Sequence, residues 1–141
     1  MANDGGDFAR SMSIATSGLR AQAGRMRVIS ENIANADSTA STASGEPYRR
    51  KVPTFSSELD RTLDAKVVAM GKIRPDQSAF RVKHEPGNPA ADAAGNVKYP
   101  NVNPVVEMTD MREAQRSYEA NLNIISATRR MIQRTLDILK A

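Results

Sequence analysis

From Val105 to Ala141 the chain carries no Gly and no Pro. Within that stretch Met108, Met111, Gln115, Tyr118, Leu122, Ile125, Arg129, Ile132, Leu136 and Leu139 follow one another in alternating steps of three and four. All but Gln115 and Arg129 are apolar or aromatic, and a 3.5-residue repeat of that kind is the seam of a helix lying along another helix. Asn103 can cap this helix, and Pro104 suits its first position. Glu107 and Asp110 lie near its start and Lys140 near its end, as the helix dipole favours. At 1.5 Å per residue it would be roughly 55 Å long.

The other end of the chain has the same character. Phe8, Met12, Ala15, Leu19, Gln22, Met26, Ile29, Ile33 and Ala36 step alternately by four and three. Asp7 is the predicted N-cap of this helix, which would be on the order of 45 Å long. It runs out in "ISENIANADST", where every apolar side chain larger than alanine disappears after Ile33. Asn35 can adopt the left-handed conformation that ends a helix. Asn32 and Asn35 are placed to satisfy free carbonyls or to reach a neighbouring molecule.

Each helix has more apolar surface than a single partner covers. Ile124, Met131 and Ile138 form a second column beside Ile125, Ile132 and Leu139. With Leu122 and Leu136, the apolar arc spans about 200° at 100° per residue. Ile14, Ala21 and Val28 recur every seven residues off the N-terminal seam. Terminal helices that pair and keep spare columns suit subunits stacked head to tail into a tube or filament.

The middle is different. "STASTASGE" is a loop of small polar residues, and "PYRRKVPTF" reads as extended, with Pro53 marking an edge or bend. Val67–Ile73 is β-branched with a bulge expected at Gly71, and Phe80, Val82 and His84 alternate on a further strand. "EPGNPAADAAGN" is rich in breakers, and Val97 and Tyr99 close the region. The expected fold is mainly α. Long N- and C-terminal helices, residues 8–36 and 103–141, pair in a coiled-coil-like manner. Residues 1–7 form a flexible N-terminus, and 37–102 form a loop and a small β-hairpin or extended segment.

Little in the chain points to catalysis. Cysteine is absent, and His84 is the one histidine, so neither a thiolate site nor a two-histidine metal site can be assembled. No glycine-rich phosphate loop or nucleophile elbow occurs. No cofactor is expected. No apolar run approaches the roughly 18 residues of a transmembrane helix, and "MANDGGDFAR" lacks the basic-then-apolar pattern of a cleavable signal peptide. The net charge is +4 and the pI about 9.7, which leaves a small basic nucleic-acid-associated helical protein as the alternative, centred on "YRRK". The remaining basic residues are mixed with acids along the helices, and no aromatic platform accompanies them.

At the residue level, "SGLRAQAGRMRVISENIANADST" resembles the N-terminal signature of bacterial flagellar rod and hook proteins. "YPNVNPVVEMTDMREAQRSYEANLNIISATRRMIQRTLDIL" resembles their C-terminal segment, and the likeness extends from about Ser11 to Leu139. "GEPYRRKVPTF" and "RVKHEPGNPAADAAGNVKYPNVN" are closer to the proximal rod proteins of that family. The resemblance implies a structural subunit that assembles with copies of itself and other rod proteins into a helical shaft and meets the basal-body rings. It implies export through the flagellar type III apparatus without a cleaved signal, a place in the periplasmic rod, and no nucleic-acid binding, membrane insertion or enzymatic activity. The residues expected to carry assembly are Met12, Leu19, Met26, Ile29, Asn32, Ile33 and Asn35 at one end. At the other they are Tyr118, Leu122, Ile124, Ile125, Met131, Ile132, Leu136, Ile138 and Leu139.

Overall fold

A computed structural model describes residues 4–140. Two long helices, α1 (Asp4–Ala34) and α2 (Pro104–Lys140), flank in sequence a small β region. Its strands are β1 (Lys51–Val52), β2 (Phe55–Asp60), β3 (Ala65–Met70), β4 (Arg74–Pro75), β5 (Arg81–His84) and β6 (Asn96–Tyr99). They pair antiparallel as β1 with β4, β2 with β3, and β5 with β6. The expected arrangement of two long helices around a small β region is therefore present.

Helix α1 begins at Asp4, so Asp7 lies inside it and pairs with Arg10 at 3.6 Å instead of capping it. The flexible segment expected over residues 1–7 is thus helical from Asp4; residues 1–3, and residue 141 of the expected C-terminal helix, lie outside the described residues. Asn103 does cap α2: its Oδ1 accepts from the Val105 N–H at 3.1 Å.

The chain divides into two compact units. The first takes its residues from before Arg27, from Thr54–Lys72 and from Glu113 onward. Here α1 and α2 run antiparallel: Gly18 lies against Asn121, and Arg25 pairs with Glu113 at 3.5 Å. A Cβ on Gly18 would stand 2.8 Å from Asn121 Nδ2, so the absence of a side chain permits this approach. Beside α1 sits the β2–β3 hairpin. Asp64, in its loop, takes the left-handed conformation (φ 46°), which Asp tolerates better than most residues. The hairpin is fixed at its tip by Arg10 Nε donating to Leu63 O (2.7 Å), and along β3 by Val68 N–H donating to Ser17 Oγ (3.2 Å). Strand β2 escaped the sequence reading, because "FSSELD" has neither a β-branched residue nor a buried alternation; five of its six residues are exposed.

The second unit, Arg27–Pro53 with Ile73–Arg112, holds the larger core. Val97 and Tyr99 of β6 pack with Ala90. Gly95 turns the chain into β6 with φ 78°, a conformation that suits glycine.

Along α2 the inward residues are Glu107, Met111, Ala114, Tyr118, Asn121, Ile125, Thr128 and Ile132. Met111, Tyr118, Ile125 and Ile132 lie on the expected seam. The alternate positions are corrected: Met108, Gln115, Leu122, Arg129, Leu136 and Leu139 are exposed. The small or polar residues Ala114, Asn121 and Thr128 turn inward instead, because a close helix approach selects for small volume rather than apolarity.

The largest fully buried side chains (Glu107, Val28, Val97, Val102, Asn32 and Pro100) all belong to the second unit. The buried residues of the first are Ala15, Ala21, Ala65, Ala114 and Thr128. Large apolar contacts stabilise helices far more than propensity does. Hydrogen exchange on the isolated monomer should therefore protect amides of residues 28–32 and 97–112 well above those of 113–139. Equal protection across α2 would contradict this ranking.

Candidate assembly surface

Asn32, on the last turns of α1, is fully buried and makes four hydrogen bonds to three residues. Its Nδ2 donates to Lys51 O (2.8 Å) and to Glu107 Oε2 (3.0 Å). Its Oδ1 accepts from the Tyr48 hydroxyl and from Lys51 N–H, both at 2.9 Å. Glu107 is equally buried, and its Oε1 takes a 2.6 Å bond from Arg50 Nε. Arg50 also meets Asp76 at 3.4 Å and Asp110 at 3.8 Å. Its backbone N–H donates to Asn101 Oδ1. The end of α1, Tyr48–Lys51, Asp76, Asn101 and the start of α2 are thus fastened together by groups that satisfy one another, as buried polar groups must be.

Electrostatics follow from that enclosure. Burial pushes the Arg50 guanidinium down, but the bonded Glu107 and Asp76 carboxylates outweigh it and hold the group above its ordinary value. The Ser78 backbone N–H and hydroxyl, then Arg50, hold the Asp76 carboxyl below the usual range. Burial, then the Glu31 and Glu107 carboxylates, pushes the Tyr48 phenol from 10.0 up to about 12. Between those values the unfolded chain loses the Tyr48 proton while the folded chain keeps it, so stability falls as pH rises through this window. In an absorbance titration, Tyr48→Phe should remove a phenolate component with its midpoint near 12. A missing component near 10 would mean that the hydroxyl is not enclosed in solution.

The basic run is spent within the chain. Arg49 lies over the Phe80 ring, 4.2 Å from its centroid, and donates to the carbonyls of Asp76 and Ser78. Arg50 is bound as above, and Lys51 Nζ pairs with Glu31. A phosphate-gripping stripe needs these cations pointing outward. Among the described residues no helix is long and apolar enough to cross a membrane.

The residues expected at an assembly surface separate into two groups. Ile29 and Asn32 are buried, and Met12, Leu19, Met26, Ile33, Asn35, Tyr118, Ile125 and Ile132 are half-buried within the chain. Asn35 Nδ2 satisfies the Glu31 carbonyl at 2.9 Å, and Ser38 N–H donates to Asn35 O, so Asn35 ends the helix locally. The remainder are open to solvent. On α2, Ile124 and Met131 are each 49% exposed, Ile138 76% and Leu139 77%; Leu122 and Leu136 are exposed too. Val105 and Val106 at the start of α2, and Phe55, Leu59 and Val68 on the hairpin, add apolar surface that the periodicity does not assign to contacts; Met108, expected on the seam, is exposed beside them. For the α2 start, the signal was its adjacent Val-Val pair, of which one helix face can bury only part.

Comparison with known proteins decides what kind of chain carries this surface. The family described as "Flagella basal body rod protein" matches residues 12–40, and "Flagellar basal body rod FlgEFG protein C-terminal" matches residues 93–138. The flagellar basal-body rod protein FlgC of Agrobacterium fabrum is 53% identical over 128 residues, 91% of this chain and 92% of that protein. The chain belongs to the FlgC family of flagellar basal-body rod proteins. FlgC of Bacillus subtilis is 39% identical over 145 residues (92% of this chain, 97% of that one). FlgC of Salmonella typhimurium is 38% identical over 125 residues (89% and 92%). Membership gives the chain a structural role in the flagellar basal body, alongside other basal-body components, and not an enzymatic one.

Proposed function

We propose that this FlgC-family chain is a subunit of the proximal rod that polymerises into a helical tube and transmits torque. It leaves the cytoplasm unfolded through the flagellar type III export apparatus and docks in the periplasm on copies of itself and other rod proteins. The observation that carries this reading is the column Ile124, Met131 and Ile138, an apolar stripe on a folded helix that stays 49–76% exposed. Contiguous exposed apolar surface of that kind marks a protein contact. Beside it lies the half-buried seam Ile125–Ile132, so one helix serves its own chain on one side and a neighbour on the next. Met12, Leu19, Met26 and Ile33, still partly exposed, extend the contact surface on α1. Asn32 supports assembly indirectly, by fixing α1 to Glu107 and to the Tyr48–Lys51 segment that leads into β1.

Gene deletion tests the reading. Cells lacking the chain should be non-motile and build no rod beyond the base. In the complemented strain the chain should be recovered from purified basal bodies at the mass of the uncleaved sequence. Motile deletion cells, or basal bodies without the chain, would refute it.

A further inference from the structure

Strands β2 and β5 each hydrogen-bond to one neighbour, β3 and β6, so each leaves one edge unpaired among the described strands. An unpaired edge is a template for another strand unless it is blunted or covered. The registers fix which residues share a face. Leu59 shares one face of its hairpin with Phe55, Val68 and Met70, of which Met70 lies against Gly24 of α1, while Glu58 and Asp60 share the other face with the buried Ala65. On the second hairpin, Val82 points outward, and Arg81 and Lys83 share the inner face with Tyr99 and Val97. Leu59 is 57% exposed and Val82 61%, the most exposed large apolar residues outside the helices.

We propose that β2 of one copy adds to β5 of a second copy of this chain as an antiparallel pair, joining the two hairpins into a four-stranded sheet. Setting Leu59 opposite Val82 places Glu58 opposite Lys83, Asp60 opposite Arg81 and Ser57 opposite His84. One face then gains the apolar cross-strand pair Leu59–Val82, and the other sets the opposite charges of Glu58 and Lys83 against each other. Glu58 and Lys83 are both exposed, and Lys83 Nζ stands 4.5 Å from the Tyr99 ring; Arg81 is held by the carbonyls of Pro100 and Ala36 and pairs with Asp37 at 3.5 Å, and Asp60 Oδ1 accepts from the Thr62 and Leu63 N–H groups, so Glu58 and Lys83 carry the charge match. Charge complementarity on one face and apolar matching on the other select a second copy as occupant. The contact is heterologous, so each copy offers one edge and receives the other, which allows an open helical array. The inference rests on the rod-subunit reading and adds to it a sheet contact distinct from the helical one.

Since the chain has no cysteine, cross-linking is clean. Cells carrying a Leu59→Cys copy together with a Val82→Cys copy should yield, in oxidised basal bodies, a disulfide-linked dimer of this chain on a non-reducing gel. Neither variant alone should give it. Directly opposed strand residues lie near enough for a disulfide. Adding Glu58→Lys to the Leu59→Cys copy should lower the cross-linked fraction about threefold, and adding Lys83→Glu to the other copy should restore it. Normal incorporation without the dimer, or a cross-link only to a protein of different mass, overturns the sheet contact and leaves the rod reading standing. Absence of the unmodified chain from basal bodies overturns both.

Discussion

Met131→Glu should abolish incorporation into the rod and with it motility, while leaving the free chain folded. Met131 is 49% exposed on α2, so a glutamate there meets water in the monomer and perturbs stability by only a few tenths of a kcal/mol. In the assembled rod the same carboxylate would enter an apolar contact without a counter-charge, which opposes docking by several kcal/mol. A loss on that scale, repeated at each subunit, is enough to stop polymerisation. On the proposed unfolded route, export uses no folded contact and should continue, so the variant should accumulate outside the basal body. Met131→Leu keeps the apolar volume and should assemble normally. A motile Met131→Glu strain with the normal amount of chain in purified basal bodies would show the column to be solvent-facing.

The second large effect lies at Asn32. Asn32→Asp exchanges the Nδ2 donor, 3.0 Å from Glu107 Oε2 and 2.8 Å from Lys51 O, for an oxygen that cannot donate when ionised. Two carboxylates at that separation cannot both stay charged, and the loss should be about 3 kcal/mol or more at neutral pH. Against a typical stability of roughly 5–15 kcal/mol, this would unfold a large share of the molecules. The pair would bind a proton more tightly folded than unfolded. Stability is therefore lost as pH rises and recovered as it falls through the titration of the pair. Asn32→Ala, which removes the same bonds without adding charge, should lack that recovery. Urea denaturation of the purified variants at neutral and mildly acidic pH measures this; equal midpoints for Asn32→Asp and the unchanged chain at neutral pH would contradict it.

These two positions also show what was legible beforehand. The second column on α2 could be read from spacing alone, because Ile124, Met131 and Ile138 recur every seven residues on a helix without breakers. The N-terminal seam was legible for the same reason, and from Phe8 to Ala36 each of its residues is buried or half-buried. The register of α2 was only half legible. Met111, Tyr118, Ile125 and Ile132 turn inward as the spacing requires, but at the alternate positions the small or polar Ala114, Asn121 and Thr128 face inward in place of their neighbours Gln115, Leu122 and Arg129. Asn32 read as a polar helix end. Its partners Tyr48, Lys51 and Glu107 are 16, 19 and 75 residues away, beyond what local periodicity reports. The available hint was Glu107 itself, a carboxylate in heptad step with Met111 and Ala114. The strand β2 and the inward use of Arg49, Arg50 and Lys51 were hidden likewise, since both depend on pairings made only after the chain has folded.

A density map of the assembled basal body at side-chain resolution would show directly which surfaces of this chain meet in the rod. It should place this chain in the rod, with Ile124, Met131 and Ile138 of α2 packed against a neighbouring subunit and Asn32 still bonded to Glu107 inside its own chain. A map in which that column faces solvent, with the subunits held together by other surfaces, would contradict that contact.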